Sequence, residues 1–234
     1  MNLNKPIKLL NIGASARDTT RSLSRDLANQ FHQKWKTLRP SDKWMTCDVA
    51  MDPPPFVSQD FIAAAFTKTT DRTEEQNAIL QPSDKLIAQV KEADVIVMST
   101  PMYNYGIPAA LKAWFDMVIR VNETFTFDLA RGNRPLEPVQ TGKILVLLTS
   151  SGEFGFYSGG FNEASNHMVP HIKTMSRYLG VSTVHHVGIE FQEFRDERHD
   201  KSKAQARAAV SELVAVLLER NNEKEIEPTG KMIK

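Results

Sequence analysis

The chain has one cysteine, Cys47, so no intrachain disulfide can staple it and the fold must rest on a buried core. It has no excess of either charge. Lys and Arg number 29 against 28 Asp and Glu, a net charge of +1, so no broad field attracts nucleic acid or anionic lipid and any function has to reside in a site. Long apolar runs are missing, none reaching the ~18 residues of a membrane-spanning helix. The opening Met1-Asn2-Leu3-Asn4-Lys5-Pro6 lacks the apolar segment of a secretory signal. Together these point to a reducing, cytoplasmic setting. Absent too are the Gly-x-Gly-x-x-Gly fingerprint of dinucleotide folds and the Gly-Lys-Ser/Thr ending of a P-loop. The run ending Met98-Ser99-Thr100 offers no aspartate to accept a phosphoryl group, which excludes a receiver domain.

With 234 residues, 41% hydrophobic and 24% charged, the chain has the mix of a globular protein with a sizeable core. A single domain is expected over 1–220, with polar 221–234 as a flexible C-terminal tail. Short β-branched or apolar runs predict strands over 7–12, 44–49, 94–100, 143–149 and 181–189. Helical spacing lies between them. Leu23, Leu27, Phe31 and Trp35 recur every four residues; 58–91 is helical in two pieces, the second kinked or restarted by Pro82. A further helix opens at Pro108 with Leu111, Phe115 and Val118 on one face. Another covers roughly 162–179 and is ended by Gly180. The last, about 202–219, has Ala206, Val210, Leu213 and Leu217 on its core face. Alternation of strand and helix predicts an α/β fold, a three-layer doubly wound five-stranded parallel sheet of strand order 2-1-3-4-5. The Gly- and Pro-punctuated stretch 126–139 reads as a surface flap.

In that order the loops after the first, third and fourth strands meet at one switch point, where open α/β sheets bind ligands. The first loop, Gly13 to Ser24, is dense in hydroxyls. Its backbone N–H groups and the helix that follows form an anion site to which Ser15, Ser22 and Ser24 add donors, each charge-assisted bond contributing about 1.5–3 kcal/mol. The same hydroxyls cap a helix without any ligand, and the loop alone leaves both readings open. The second loop, Pro101-Met102-Tyr103-Asn104-Tyr105-Gly106-Ile107-Pro108, is polar and aromatic. The third, Ser150-Ser151-Gly152-Glu153-Phe154-Gly155-Phe156-Tyr157-Ser158-Gly159-Gly160, is rich in glycine and aromatics. FMN needs what they supply: a phosphate cradle, room for a ribityl chain, and a flat slot with polar edges. Asn104 and the backbone N–H groups of Tyr103, Asn104, Gly152 and Glu153 are placed to bond the ring edge, with Met102 and Tyr105 against its face. Donors near the pyrimidine end would stabilise the negative charge that grows there on reduction. No metal is expected: Pro170 interrupts the turn carrying His167 and His171, and His185 and His186 face opposite ways on a strand. Ser150 lacks the frame of a nucleophile elbow. Arg131 and Arg134 read as solvated flap charges or as contacts to a pyridine nucleotide's phosphates.

Pro101-Met102-Tyr103-Asn104-Tyr105 with its following helix resembles the flavin loop of the FMN-dependent NADH-azoreductases, relatives of the NAD(P)H:quinone reductases. Ser22-Leu23-Ser24, Thr141-Gly142-Lys143 and Thr149-Ser150-Ser151-Gly152 resemble the same family, and the similarity spans about 7–218. The resemblance implies a flavodoxin-like fold and FMN as cofactor, with NADH or NADPH as donor. It implies a ping-pong two-electron reduction of a quinone or azo acceptor, and a homodimer with the site at the interface. It assigns Ser15, Ser22, Leu23 and Ser24 to the phosphate and ribityl end, and Met102, Tyr103, Asn104, Tyr105, Ser150, Ser151, Gly152 and Glu153 to the ring. Tyr157 resembles the active-site tyrosine of the quinone reductases. Where family members usually carry a glycine, this chain has Glu153. The rival readings are a flavodoxin-like one-electron carrier, against which the net charge of +1 argues, and a flavin-free binding module.

Overall fold

The computed structural model describes residues 5–223. In chain order the strands are β1 (Lys8–Gly13), β2 (Lys43–Asp48), β3 (Val95–Pro101), β4 (Phe125–Phe127), β5 (Leu136–Pro138), β6 (Lys143–Ser150) and β7 (Val181–Ile189). Five of them form one sheet in the order β2-β1-β3-β6-β7, and β4 pairs only with β5. Every pairing in the large sheet is parallel. Such strands are buried on both faces and so read as continuous apolar runs. All of β3 is buried, and β6 at every position but Ile144. Counted over all strands the order is 2-1-3-6-7, where the sequence pattern predicts 2-1-3-4-5. The stretch 126–139, expected as a surface flap, carries the short antiparallel pair β4–β5.

Successive residues of each strand face opposite layers, and the helices divide accordingly. Leu9, Val95, Val97, Val146 and Leu148 pack against Leu27, Phe31 and Trp35 of α1 (Leu23–Leu38) and Val210 and Val214 of α6 (Glu197–Glu223). Leu10, Ile12, Ile96, Met98, Leu145 and Leu147 pack against α3 (Glu74–Glu92), α4 (Ala109–Val118) and α5 (Val169–Ser176). The outlying α2 (Gln59–Phe66) buries Phe61, Ala64 and Ala65 against Leu80 and Met117.

Tertiary context moves several boundaries. Pro82 lies inside α3 and does not restart it. A reciprocal cap between Thr73 and Gln76 fixes the start, and buried Leu80, Ile87 and Val90 hold both sides of the proline. Ser83 Oγ donates to the Met117 carbonyl at 2.6 Å. That packing outweighs the ~3 kcal/mol an internal proline costs. The helix expected over 162–179 begins only at Val169, after a single 3-10 turn at Glu163–Ser165. Asn166 is the cause: its Oδ1 accepts from the Met168 and Val169 N–H groups and its Nδ2 donates to the Phe156 carbonyl, binding this stretch to a loop. Gly180 ends the following turn at φ 85°, the left-handed cap that glycine suits. Pro108 is the N-cap of α4 and not its first residue. The last helix reaches Glu223, and the rest of the expected tail lies outside the described residues.

Candidate active site

The loop after β1 is built around two carboxylates. Asp18 Oδ1 accepts from Thr20 N at 3.0 Å, Thr20 Oγ1 at 2.6 Å and Arg21 N at 3.1 Å, and Oδ2 accepts from the Arg21 guanidinium at 3.0 Å. These bonds from Thr20 and Arg21 hold its carboxyl down to about 2. Ser22 caps α1, its Oγ accepting from Arg25 N at 3.4 Å. The Arg25 guanidinium donates to the Ser15 carbonyl at 2.7 Å and, bidentately, to Asp48 at 2.6 and 2.8 Å. It ties the loop to the end of β2. Burial alone raises Asp48, but the bonds and charge of Arg25, with the Met51 and Ala50 N–H groups, outweigh it and leave the carboxyl low. Gly13 leaves room for this pair, since a Cβ there would lie 3.0 Å from Arg25 Nη1. Among the described residues the N–H groups of Ser15, Leu23 and Ser24 have no partner within the chain. Free N–H groups at a helix start are the donors an anion needs.

After β3 the chain makes a two-residue reversal. Met102 N donates to the Ser150 carbonyl at 2.7 Å, and Tyr103 and Gly106 exchange backbone bonds of 3.1 and 3.0 Å. The Tyr103 N–H, expected at a ring edge, is therefore already bonded. Asn104 and Tyr105 take positive φ, 47° and 65°, a geometry asparagine tolerates and tyrosine rarely adopts. Three contacts hold Tyr105 there: His167 N donates to its carbonyl at 3.0 Å, its hydroxyl donates to Glu153 Oε1 at 3.0 Å, and its ring centroid lies 6.3 Å from that of Phe156. The bond to Glu153, and then that group's charge, push the Tyr105 phenol up. Ala16 N donates to the Tyr103 hydroxyl at 3.3 Å, joining this turn to the β1 loop.

The loop after β6 is seated on the segment after β7. Ser151 N donates to the Ile189 carbonyl at 2.9 Å, Gln192 N to Ser151 at 3.2 Å and Glu193 N to Gly152 at 3.1 Å. Glu190 Oε1 accepts from Gly155 N and Phe156 N at 3.0 and 3.3 Å. Phe154 stacks on Phe191 with centroids 4.5 Å apart, and the Arg198 guanidinium lies 4.6 Å from the Phe194 centroid while paired with Asp196 at 2.6 Å.

These loops enclose a crevice of about 590 Å³ at the carboxyl ends of the strands. Ser15, Ser22, Leu23, Met102, Tyr103, Asn104, Tyr105, Ser150, Gly152 and Glu153 line it, all expected from sequence. Three expected residues do not. Ser24 is fully buried with its Oγ 3.3 Å from Ser22 Oγ, so its hydroxyl stays out of the crevice and only its unpartnered N–H is left as a donor. Ser151 donates to the Glu153 carbonyl at 2.9 Å and, with Tyr157, faces a neighbouring cavity of about 680 Å³. Arg17, Arg21, Pro101, Phe156, Gln192 and Glu193 also line the crevice without having been expected. The two arginines stood in the hydroxyl-rich loop and were legible as anion ligands; Gln192 and Glu193 follow the fifth sheet strand and were marked only by the rule that carboxyl ends bear sites. Among the described residues no group of three or more His, Cys, Asp or Glu is arranged to hold a metal ion, and no helix is long and apolar enough to cross a membrane.

A parallel sheet with helices on both faces and a ligand crevice at its switch point defines a class, and the comparisons agree: the family model described as flavodoxin-like fold matches residues 7–214, and the chain belongs to that family. The nearer relatives are more particular. An FMN-dependent NADH:quinone oxidoreductase 2 of Colwellia psychrerythraea is 51% identical over 218 residues, covering 91% of this chain and 100% of the relative. An FMN-dependent NAD(P)H:quinone oxidoreductase 1 of Pseudomonas aeruginosa is 35% identical over 211 residues, covering 86% and 99%. Among solved structures, an azoreductase from Bacillus anthracis superposes with a TM-score of 0.79 at 24% identity, covering 89% of this chain and 98% of that one. An FMN-dependent NADH-azoreductase from the same species, in complex with FMN, gives 0.78 at 20% identity, covering 90% and 99%. At these identities the structures speak for the fold.

Proposed function

We propose that the chain is an FMN-dependent oxidoreductase that takes two electrons at a time, as hydride, from NADH or NADPH and passes them in a ping-pong reaction to a quinone or azo acceptor. The observation that carries this is the donor set of the crevice. Unpartnered N–H groups of Ser15, just after β1, and of Leu23 and Ser24, at the start of α1, lie at one loop, and unpartnered N–H groups of Asn104, Gly152 and Glu153 lie at the other two. That pattern fits a phosphate at one end and the polar edge of a flat ring at the other, and the relatives' names support the same cofactor. Bound FMN would supply the hydride-accepting and hydride-donating chemistry. The residues' tasks are binding and orientation. Ser15, Ser22 and Arg17 add donors for the phosphate, Met102 and Phe156 offer apolar contact to the ring, and the exposed faces of Tyr103 and Tyr105 bound the entrance. Ser24 contributes through its backbone. Leu23 contacts the ribityl end, Ser150 and Ser151 shape the ring slot, and Tyr157 stands beside it as a substrate contact. The protein is further read as one flavodoxin-like domain over 1–220. The main sheet counts as 2-1-3-4-5 once the β4–β5 insertion is left out, and the protein acts in the cytoplasm as a homodimer with the site at the interface.

The test is a visible spectrum of the purified protein with and without FMN, followed by NADH under nitrogen. A bound flavin bleached by NADH is the expected result. Failure to bind FMN overturns the reading, and binding without bleaching turns it into that of an electron carrier. Replacing Ser15 and Ser22 together by Ala is expected to weaken FMN by about 1.5–3 kcal/mol per lost bond and riboflavin far less. Equal losses would remove the phosphate from this loop.

A further inference from the structure

Glu153 and Glu193 both line the crevice, the first on the β6 loop assigned to the flavin ring and the second on the segment after β7 against which that loop is seated. The Glu153 carboxylate is held from both sides, Oε1 by the Tyr105 hydroxyl at 3.0 Å and Oε2 by the Asn162 amide at 3.3 Å. Both donors are neutral, so they orient the charge without cancelling it. Glu193 presses on Gly152, where a Cβ would fall 2.7 Å from Glu193 Cγ. Its side chain, exposed at the tip, thus lies along the crevice wall. Among the described residues neither group forms an ion pair; Arg21 is paired with Asp18 at 3.0 Å, Arg25 with Asp48 at 2.6 Å and Arg198 with Asp196 at 2.6 Å, and exposed Arg195, two residues from Glu193, pairs with neither carboxylate. Arg17 belongs to the β1 loop, at the phosphate end. The crevice is therefore polarised, with donors and a guanidinium at one end and two uncompensated carboxylates at the other.

We propose that Glu153 and Glu193 determine acceptor specificity by charge, admitting uncharged or cationic aromatic acceptors and rejecting those that carry a sulfonate or carboxylate near the reducible ring. The proposal rests on the flavin reading of the crevice. Like charges on protein and ligand discriminate by repulsion, with no attractive contact required, and at an exposed group such as Glu193 salt screens that repulsion. Each carboxylate is expected to contribute about tenfold in affinity, ~1.4 kcal/mol.

The experiment uses the FMN-loaded, oxidised protein, in which no turnover occurs, and reads binding by flavin fluorescence quenching. The probes are 1,4-naphthoquinone and its 2-sulfonate, titrated into the wild type, Glu153→Gln, Glu193→Gln and the double variant at low and high salt. The expected result is that wild type prefers the neutral quinone about a hundredfold, that each substitution narrows the preference about tenfold by tightening the sulfonate, and that the double variant nearly abolishes it. Salt should narrow the wild-type preference and leave the double variant unmoved. Glu193→Gln removes no hydrogen bond and so stands as a test even where Glu153→Gln disturbs the Tyr105 turn. A preference unchanged in all variants with FMN bound overturns charge selection alone. An unaltered protein that fails to bind FMN overturns the cofactor reading and this proposal with it.

Discussion

Tyr105 condenses the logic of the site into one residue. A tyrosine at φ 65° is strained and persists only where its surroundings over-determine it. The amide of His167, the carboxylate of Glu153 and the ring of Phe156 do so here, each from a different part of the chain. Because Glu153 pushes the phenol up, Glu153→Gln should let Tyr105 ionise at lower pH, a change seen in the ultraviolet phenolate absorbance and absent from Tyr105→Phe. No change in that titration would mean the two groups do not meet in solution. The sequence made Tyr103, Asn104 and Tyr105 legible because an apolar strand runs straight into them and a helix straight out. It did not reveal that Tyr103 gives its N–H to Gly106, because a two-residue reversal depends on backbone angles that Tyr-Asn-Tyr-Gly only hints at. Glu193, marked in the sequence only by its place after a strand, was hard to read for another reason: its meaning lies in contact with Gly152, forty-one positions earlier.

The elements show how loops become rigid enough to hold a ligand. The β6 loop borrows order from its neighbour through Glu190, which collects two amides, and through the stack of Phe154 on Phe191. Inside the loop, Gly160 sits so close to the Gly155 carbonyl that a Cβ would overlap it. Gly160→Ala is therefore expected to loosen the loop, speeding proteolytic cleavage between 153 and 162 and weakening FMN, while the melting temperature moves by only a few degrees. Unchanged cleavage would show that the loop has room to spare. This borrowing also explains why helical periodicity over 162–168 misled: Asn166 has its amide and carbonyl engaged by Phe156 and α5, so that stretch belongs to the loop. Pro82 misled in the opposite sense, a local breaker overruled by packing on both sides.

For the whole molecule, the layers follow from residues that sequence displays openly. β3 and β6 are unbroken apolar runs, and only a strand covered on both faces can bury them. What fastens the layers at the site is the Arg25–Asp48 pair, and it makes stability depend on pH. Asp48 is low in the folded state, so its contribution is complete above the ordinary carboxylate range near 3.9 and is lost as pH falls through the depressed folded value. Urea midpoints should therefore drop as the pH is lowered below about 4, and the drop should be shallower in Asp48→Asn, which starts about 1.5–3 kcal/mol less stable at neutral pH. An identical acid slope in the variant would assign the dependence to other carboxylates.

The crevice draws its walls from segments near residues 15, 104, 152 and 193, so a growing chain cannot complete it before Glu193 has been added. A nascent chain halted at Gly180 carries the β1 loop and the β3 turn. It still lacks Ile189, on which Ser151 is seated, and the segment that supports Gly152. Capture of a cofactor in this crevice therefore waits until β7 and the segment that follows it have been made.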